Sequence, residues 1–248
     1  MSQAEFQFLA ELNHFLPPSK QQISFPHFFK GRTSIKDTIE ALGVPHPEVD
    51  AILVNGESVD FSYILQDGDR ITVYPVSVAR EIPSTIHLRP THLPEYRFVL
   101  DIHLGKLANG LRMLGFDTLY RNDYDDAELA QISAAENRIL LTRDKGLLMR
   151  SMVTYGYYVR ATNPERQIVE VLQRFNLSGL VSPFHRCIRC NGLLEAVAKE
   201  SIIDQIPPKK QLSIHEFHRC QECAQIYWKG SHYDRMQEFI NGVLTAEC

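Results

Sequence analysis

A chain of 248 residues with 44% apolar and 23% charged side chains has the balance of a soluble globular protein and enough length for about two domains. No apolar run approaches the roughly 18 residues of a bilayer span, so no membrane role is expected. The formal charge of −4 sits in residues 1–80, with six Lys/Arg against ten Asp/Glu; residues 81–178 balance at twelve each and 179–248 at eight each. No stretch is basic overall, so any nucleic-acid binding must come from local clusters or a metal ion. The opening MSQAEFQFLAELNHFLPP carries acids and no early Lys or Arg, unlike a secretory signal, and the expected location is the cytoplasm.

In chain order, AEFQFLAEL reads as a first strand and QQISFPHF as a second. Thr33 or Ser34 can cap a helix over SIKDTIEALG that Gly43 stops. DAILVNGESV holds a strand and an Asn55-Gly56 turn, a strong hairpin signal, and QDGDRITVYPV is a turn followed by a last strand. This order resembles the β-grasp fold, and TIEALGVPHPEVDAILVNGESVDFSYILQDGDRITVYPV is similar to the ubiquitin-like sulfur carriers. A sulfur carrier ends in a free Gly-Gly, whereas here the strand runs on through Val78, Ala79 and Arg80. Residues 1–80 are therefore expected to be an independently folding docking or structural module with a protein partner.

Residues 81–95, EIPSTIHLRPTHLPE, hold three prolines and no periodicity, and read as a linker. Beyond them strands and helices alternate. YRFVLD is a strand ending in an acid, and IHLGKLANGLRMLG is a helix with Leu104, Leu107, Ala108, Leu111 and Leu114 on one face. FDTLYR, RILLTRD and YGYYVRAT are further strands, with DDAELAQISAAEN a helix after the first of these. Asn163-Pro164-Glu165 opens another helix with a cap, a first-position proline and a first-turn acid. Such alternation implies a mostly parallel sheet over residues 96–178.

Ligands of an open α/β sheet sit beyond the carboxyl ends of its strands. Asp101 follows RFVL, Asp126 opens the helix after FDTLYR, and Asp144 follows ILLT. Clustered carboxylates repel unless a cation compensates, and hard oxygen ligands suit Mg²⁺ or Mn²⁺. The plainer alternatives stay open: Asp126 as a helix cap, Asp123 and Asp125 as turn residues, Glu128 as a first-turn acid favoured by the helix dipole. Lys106, Arg112, Arg143 and Lys145 flank the acids and can hold phosphates or be ordinary solvated charges.

Residues 179–248 are turn-rich and carry Cys187-x-x-Cys190 and Cys220-x-x-Cys223, two knuckles suited to tetrahedral Zn²⁺ in a structural site with no open position. His185, His215 and His218 are nearby alternative ligands, and Cys248 is a terminal thiol without an assigned role. The stretch IYWKGSHYDRM mixes aromatic and basic groups; Trp228 and His232 are RNA-contact candidates, with core packing the alternative for Tyr227 and Trp228. A C-terminal helix completes this part.

The segment VLDIHLGKLANGLRMLGFDTLYRNDYDDAELAQISAAENRILLTRDKGLL resembles the Mut-seven C-terminal RNase family, a PIN-like group. The family's Asp after the first strand, D-x-E at the second helix and T-R-D after the third strand match Asp101, Asp126-x-Glu128 and Thr142-Arg143-Asp144. The resemblance continues through the zinc ribbon, and some members carry the same front domain. It implies a multidomain α/β protein in which a β-grasp ubiquitin-like domain precedes a PIN-like parallel-sheet domain and a four-cysteine zinc ribbon. The implied function is a ribonuclease that uses Mg²⁺ or Mn²⁺ held by Asp101, Asp126 and Asp144, with Glu128 a supporting catalytic acid and a structural Zn²⁺. The alternative is an RNA-binding adaptor with a vestigial acidic cluster.

Overall fold

β1 (Ser2–Phe8) alternates inward Ala4, Phe6 and Phe8 with outward polar residues, the period-two signature of a sheet with one covered face. The computed structural model in which it lies describes residues 1–79, 82, 85–89, 95–208 and 214–246, the side chain of His232 excepted. β1 pairs with β2 (Phe25–Phe29) antiparallel and with β5 (Arg70–Pro75) parallel. β3 (Val49–Val54) and β4 (Glu57–Val59) complete a five-stranded sheet of order β2-β1-β5-β3-β4. The β3–β4 hairpin turns on Asn55 and Gly56 at φ 53° and 89°, the two left-handed residues such a turn needs. Helix α1 (Ile35–Ala41) lays Ile35 and Ile39 on the sheet among Phe6, Phe8, Ile52, Ile71 and Val73. Its cap is Ser34, whose hydroxyl accepts from Asp37 N at 3.1 Å. The result is a β-grasp domain, closed by the short helix α2 (Val76–Ala79).

The first strand is shorter than its apolar pattern suggests. Ala10 at φ 45° breaks it, and a 3₁₀ turn over Ala10–Phe15 buries Leu12 and Phe15 instead. Its apolar residues are real core, but served by a turn rather than by more strand.

The α/β domain runs β6 (Arg97–Leu100), α3 (Gly105–Met113), β7 (Asp117–Leu119), α4 (Asp126–Glu136), β8 (Ile139–Thr142), α5 (Lys145–Leu148), β9 (Gly156–Tyr158) and α6 (Pro164–Phe175), the alternation read from sequence with the short α5 added to it. β6 pairs in parallel with β7, and β8 in parallel with β9. Leu104, Leu107, Ala108, Leu111 and Leu114 are all buried. Asn163 caps α6, its Oδ1 accepting from Glu165 N and Arg166 N at 3.0 and 3.1 Å, with Pro164 in the first turn where no N–H is missed.

Contacts divide the chain into two compact units, Met1–Glu95 with Asp125–Tyr158, and Tyr96–Tyr124 with Val159–Cys248. In the first, the β-grasp domain is fastened to the strand-and-helix segment beside it. Glu48, fully buried, accepts from Tyr158 N at 2.6 Å, and His46 Nε2 lies 2.8 Å from the Val153 carbonyl. Phe15 meets the Tyr158 ring edge-on at 5.4 Å. Residues 80, 81, 83, 84 and 90–94 of the expected linker lie outside the described residues. Its described part is not loose: Arg89 donates to the carbonyls of Val49, His46 and Thr154, and Leu88 N donates to Asp50 O at 2.7 Å.

In the second unit, β10 (Leu194–Val197), β11 (Phe217–Cys220) and β12 (Ile226–Trp228) form an antiparallel sheet whose small core is Ile202, Ile206, Ile214, Phe217 and Ile226. Helix α7 (Ser231–Thr245) ends the described chain.

Candidate active site and metal centre

The three candidate acids stand at the starts of helical turns. Asp101 directly follows β6, is only 4% exposed, and caps the 3₁₀ turn Ile102–Leu104, its Oδ1 accepting from His103 N at 2.7 Å. Asp144 stands two residues beyond β8, is exposed, and caps α5, its Oδ1 accepting from Gly146 N at 2.7 Å and Leu147 N at 3.4 Å. Thr142, buried at the strand's end, accepts from Asp144 N at 2.9 Å and so fixes the chain's exit from β8.

Asp126 is the first residue of α4 and not its cap. The cap is Asp125, whose Oδ1 accepts from Glu128 N at 2.8 Å while Glu128 Oε2 accepts from Asp125 N at 3.0 Å. This reciprocal pair satisfies two end groups of the helix. Asp125 and Glu128 are thereby tied to each other, and Asp126 keeps a carboxylate that helix capping does not use. Its nearest cation is Arg150, Nη2 at 3.8 Å, with both side chains about half exposed. Such a pair contributes little in water. Asp126 and Asp144 belong to the first compact unit and Asp101 to the second.

The basic candidates separate sharply. Lys106 is exposed on α3, and Arg143 is half-buried beside Asp144. Arg112 is not a ligand-facing cation. It is 4% exposed, and its guanidinium donates to the carbonyls of Thr118 (2.9 Å), Ile188 (3.0 Å), Arg189 (3.3 Å) and Tyr120 (3.4 Å). A planar fork with five donors suits such a role, which ties α3 to β7 and to the first cysteine knuckle. Lys145 donates to Phe15 O at 3.2 Å and lies 5.2 Å from the Phe15 ring, so it serves the β-grasp domain. Trp228 is half-buried against the ribbon core, and the His232 side chain lies outside the described residues, as does Cys248.

The four knuckle cysteines do converge, with all four Sγ atoms within 4.8 Å of one another. Cys187 and Cys223 are 3.6 Å apart and Cys190 and Cys220 3.4 Å. A tetrahedron of thiolates about 2.3 Å from Zn²⁺ has sulfurs about 3.8 Å apart, so the donor set fits that ion. Each knuckle is a tight turn. Asn191 N donates to Cys187 O and Cys187 N to Gly192 O, and at the other knuckle Ala224 N donates to Cys220 O and Cys220 N to Gln225 O. Gly192 has no substitute, since a Cβ there would stand 2.9 Å from Cys220 Sγ and 2.6 Å from Glu222 Cγ. Burial pushes the Cys190 thiol up to about 12. Burial also opposes ionisation of Cys187, yet the Tyr227 hydroxyl at 3.1 Å and nearby backbone N–H groups bring its pKa down to about 7. Four thiolates this close repel one another, and a cation is needed to hold all four.

Two residues of this centre escaped sequence reasoning. Asn191 accepts from Thr118 N at 2.9 Å and donates to Asp117 Oδ1 at 2.8 Å, joining the knuckle to β7. Tyr227 is the hydrogen-bond partner of a ligand sulfur. The Cys-Asn-Gly order marks Asn191 as a turn residue, but nothing local reveals its partner 73 positions away.

Residues 96–240 match the family described as Mut7-C RNAse domain, and residues 1–81 match Mut7-C ubiquitin. Two crystal structures of small archaeal modifier protein 1 from Haloferax volcanii are similar at 17% identity and a TM-score of 0.25. Each covers 30% of this chain, and 98% and 94% of its own. A comparison with curated proteins returned no match. No described helix is long and apolar enough to cross a membrane.

Proposed function

We propose, on the premise that this chain belongs to the Mut7-C RNAse domain family, that it hydrolyses RNA phosphodiesters at a Mg²⁺ or Mn²⁺ site held by Asp101, Asp126 and Asp144. The observation that carries the reading is the setting of Asp101 and Asp144. Each follows a parallel strand and has one carboxylate oxygen held by the backbone N–H groups of the next turn. In open α/β sheets that is where ligands bind.

An all-oxygen set of this kind suits a hard divalent ion, which lowers the pKa of its bound water and offsets charge on a phosphate. The protein's part is to fix the carboxylates in advance. Asp101 and Asp144 are oriented by the turns they cap, and Asp126 is oriented by a helix start that Asp125 and Glu128 lock. Glu128 therefore supports the site by positioning its neighbour. Lys106 and Arg143 are the cations assigned to the RNA backbone. The four cysteines hold Zn²⁺ as a structural ion, since four thiolates leave no open position for chemistry.

The test is incubation of the purified full chain with mixed RNAs and Mn²⁺, beside Asp144→Asn. Metal-dependent cleavage lost in the variant is expected. A wild-type protein that binds RNA but never cleaves it, with binding unchanged in Asp144→Asn, would instead make it an adaptor.

A further inference from the structure

A cavity of about 390 Å³ opens in the second unit between the ribbon sheet and the start of α7. That volume falls in the roughly 300–1,000 Å³ range of small-ligand sites. Its walls include Phe184, Tyr227, Trp228 and Tyr233, with Arg186 and Lys229 as its cations and Glu216 as its one acid. None of the four aromatic residues is fully buried. The ribbon's own core is made without Phe184, Tyr227 or Tyr233, so these rings are not needed to close it. Trp228 packs one side near Phe217, ring centres 6.5 Å apart, and still reaches the cavity wall.

The strand register explains the arrangement. His218 pairs with Tyr227 across β11 and β12, so residues 216, 218, 227 and 229 share the sheet face turned away from the core. Against that face, Phe184 and Tyr233 lie ring to ring at 4.5 Å. Lys229 Nζ lies 6.0 Å from the Tyr233 ring and pairs with Glu216. The Lys229 side chain is 54% exposed and free to exchange that surface pair for another anion. Arg186 is anchored by its Nη1 bond to Asn191 O at 3.0 Å and by an ion pair of its Nη2 with Asp117 at 3.6 Å, so its charge is already met. The lining thus combines flat apolar walls with one exposed cation, Lys229, whose surface pair can be exchanged.

We infer that this cavity receives an unpaired nucleotide of single-stranded RNA, its base against the aromatic wall and its phosphate toward Lys229. Stacking on aromatic rings beside cations is how bases freed from pairing are held, and it tolerates any sequence because every base has a π-face. A paired base has no face to offer. The inference rests on the ribonuclease reading for its choice of ligand and adds a substrate class: RNA with an unpaired stretch.

Trp228 packs on the core side of the sheet with Phe217, so binding is read on the RNA and not on tryptophan emission. The experiment titrates zinc-loaded full-length Asp144→Asn protein with a single-stranded octanucleotide RNA, without Mg²⁺ or Mn²⁺. Saturable binding, read as the fluorescence anisotropy of the end-labelled octanucleotide, is expected, with little from the same sequence as a duplex. Tyr233→Ala should weaken binding by about 5- to 150-fold, the usual loss for one stacked base, while Tyr233→Phe keeps it. Lys229→Gln should weaken binding and flatten its salt dependence. No saturable binding of the single strand, or a Tyr233→Ala affinity within twofold of the parent with zinc content intact, overturns the inference. Cleavage by the wild type without any cavity effect sinks the cavity alone. Cavity binding without any cleavage sinks the catalytic reading alone.

Discussion

Asp144 is asked to do two jobs, and substitutions separate them. Its Oδ1 caps α5 through Gly146 N and Leu147 N, and the proposed site uses the same carboxylate for a divalent ion. Asparagine caps about as well as aspartate, whereas alanine loses about 1 kcal/mol at such a position. Asp144→Asn should therefore fold with nearly unchanged stability, and Asp144→Ala should melt about 2–4 °C lower, the shift expected for a chain of this size. Both should lose RNA cleavage alike, by more than the roughly 10- to 100-fold typical of changing a residue that only supports a metal ligand. The assay pairs thermal unfolding with Mn²⁺-dependent cleavage of a labelled RNA, plus Mn²⁺ titration of each variant. If Asp144→Asn cleaves within a few-fold of wild type, the carboxylate is only a cap and the reasoning fails. If activity tracks stability across the two variants, the same conclusion follows.

Glu128→Gln keeps an acceptor for Asp125 N, so cleavage should fall far less than in Asp126→Asn; equal losses would make Glu128 a ligand in its own right. Purified protein should carry one Zn²⁺ per chain, and Cys220→Ser should lose it and speed hydrogen exchange in β10–β12; elemental analysis without zinc in chelator-free protein would refute the site. Arg112→Ala should cost at least about 2–3 kcal/mol, because several buried carbonyls lose their donor, and Arg112→Lys should not restore it. An Arg112→Ala protein of wild-type stability and weakened RNA affinity would return that residue to the ligand. Removal of residues 1–80 should destabilise the segment 125–158, since Glu48 and His46 bond to its backbone; a truncated protein with the melting temperature of the full chain would show those bonds to be dispensable.

What the sequence made legible was whatever neighbours in the chain decide. Ser34 as a cap, Asn55-Gly56 as a hairpin and Asn163-Pro164 as a helix start all hold, because the groups they satisfy lie within a few residues. Asp126 opens α4, as its position suggests, and of the residues around it the cap is Asp125, which reads in sequence as a turn residue. The pattern Asp125-x-x-Glu128 is a capping-box spacing, so this cap is set by residues within one helical turn. Arg112 was illegible for a different reason. Its position beside a candidate site is visible in sequence, but its carbonyl partners at Ile188 and Arg189 are more than seventy residues away and are brought near only by the fold. Lys145 is a similar case, with its partner Phe15 in another domain. Cations are the residues whose roles depend most on distant partners, so their assignment from sequence is the weakest part of the site.

The meeting of Asn191 with Thr118 has a consequence for the protein's solubility. β7 borders its sheet, and a border strand with open N–H and C=O groups is a template for pairing with another molecule. Here the outward N–H of Thr118 is taken by Asn191 and its carbonyl by Arg112, so side chains close the border without an added strand. Asn191 directly follows Cys190, so with the proposed Zn²⁺ on the four cysteines the seal would be only as durable as their grip on that ion. Zinc starvation should then show first as self-association along β7, a concentration-dependent loss of soluble protein that precedes any unfolding of the sheet itself.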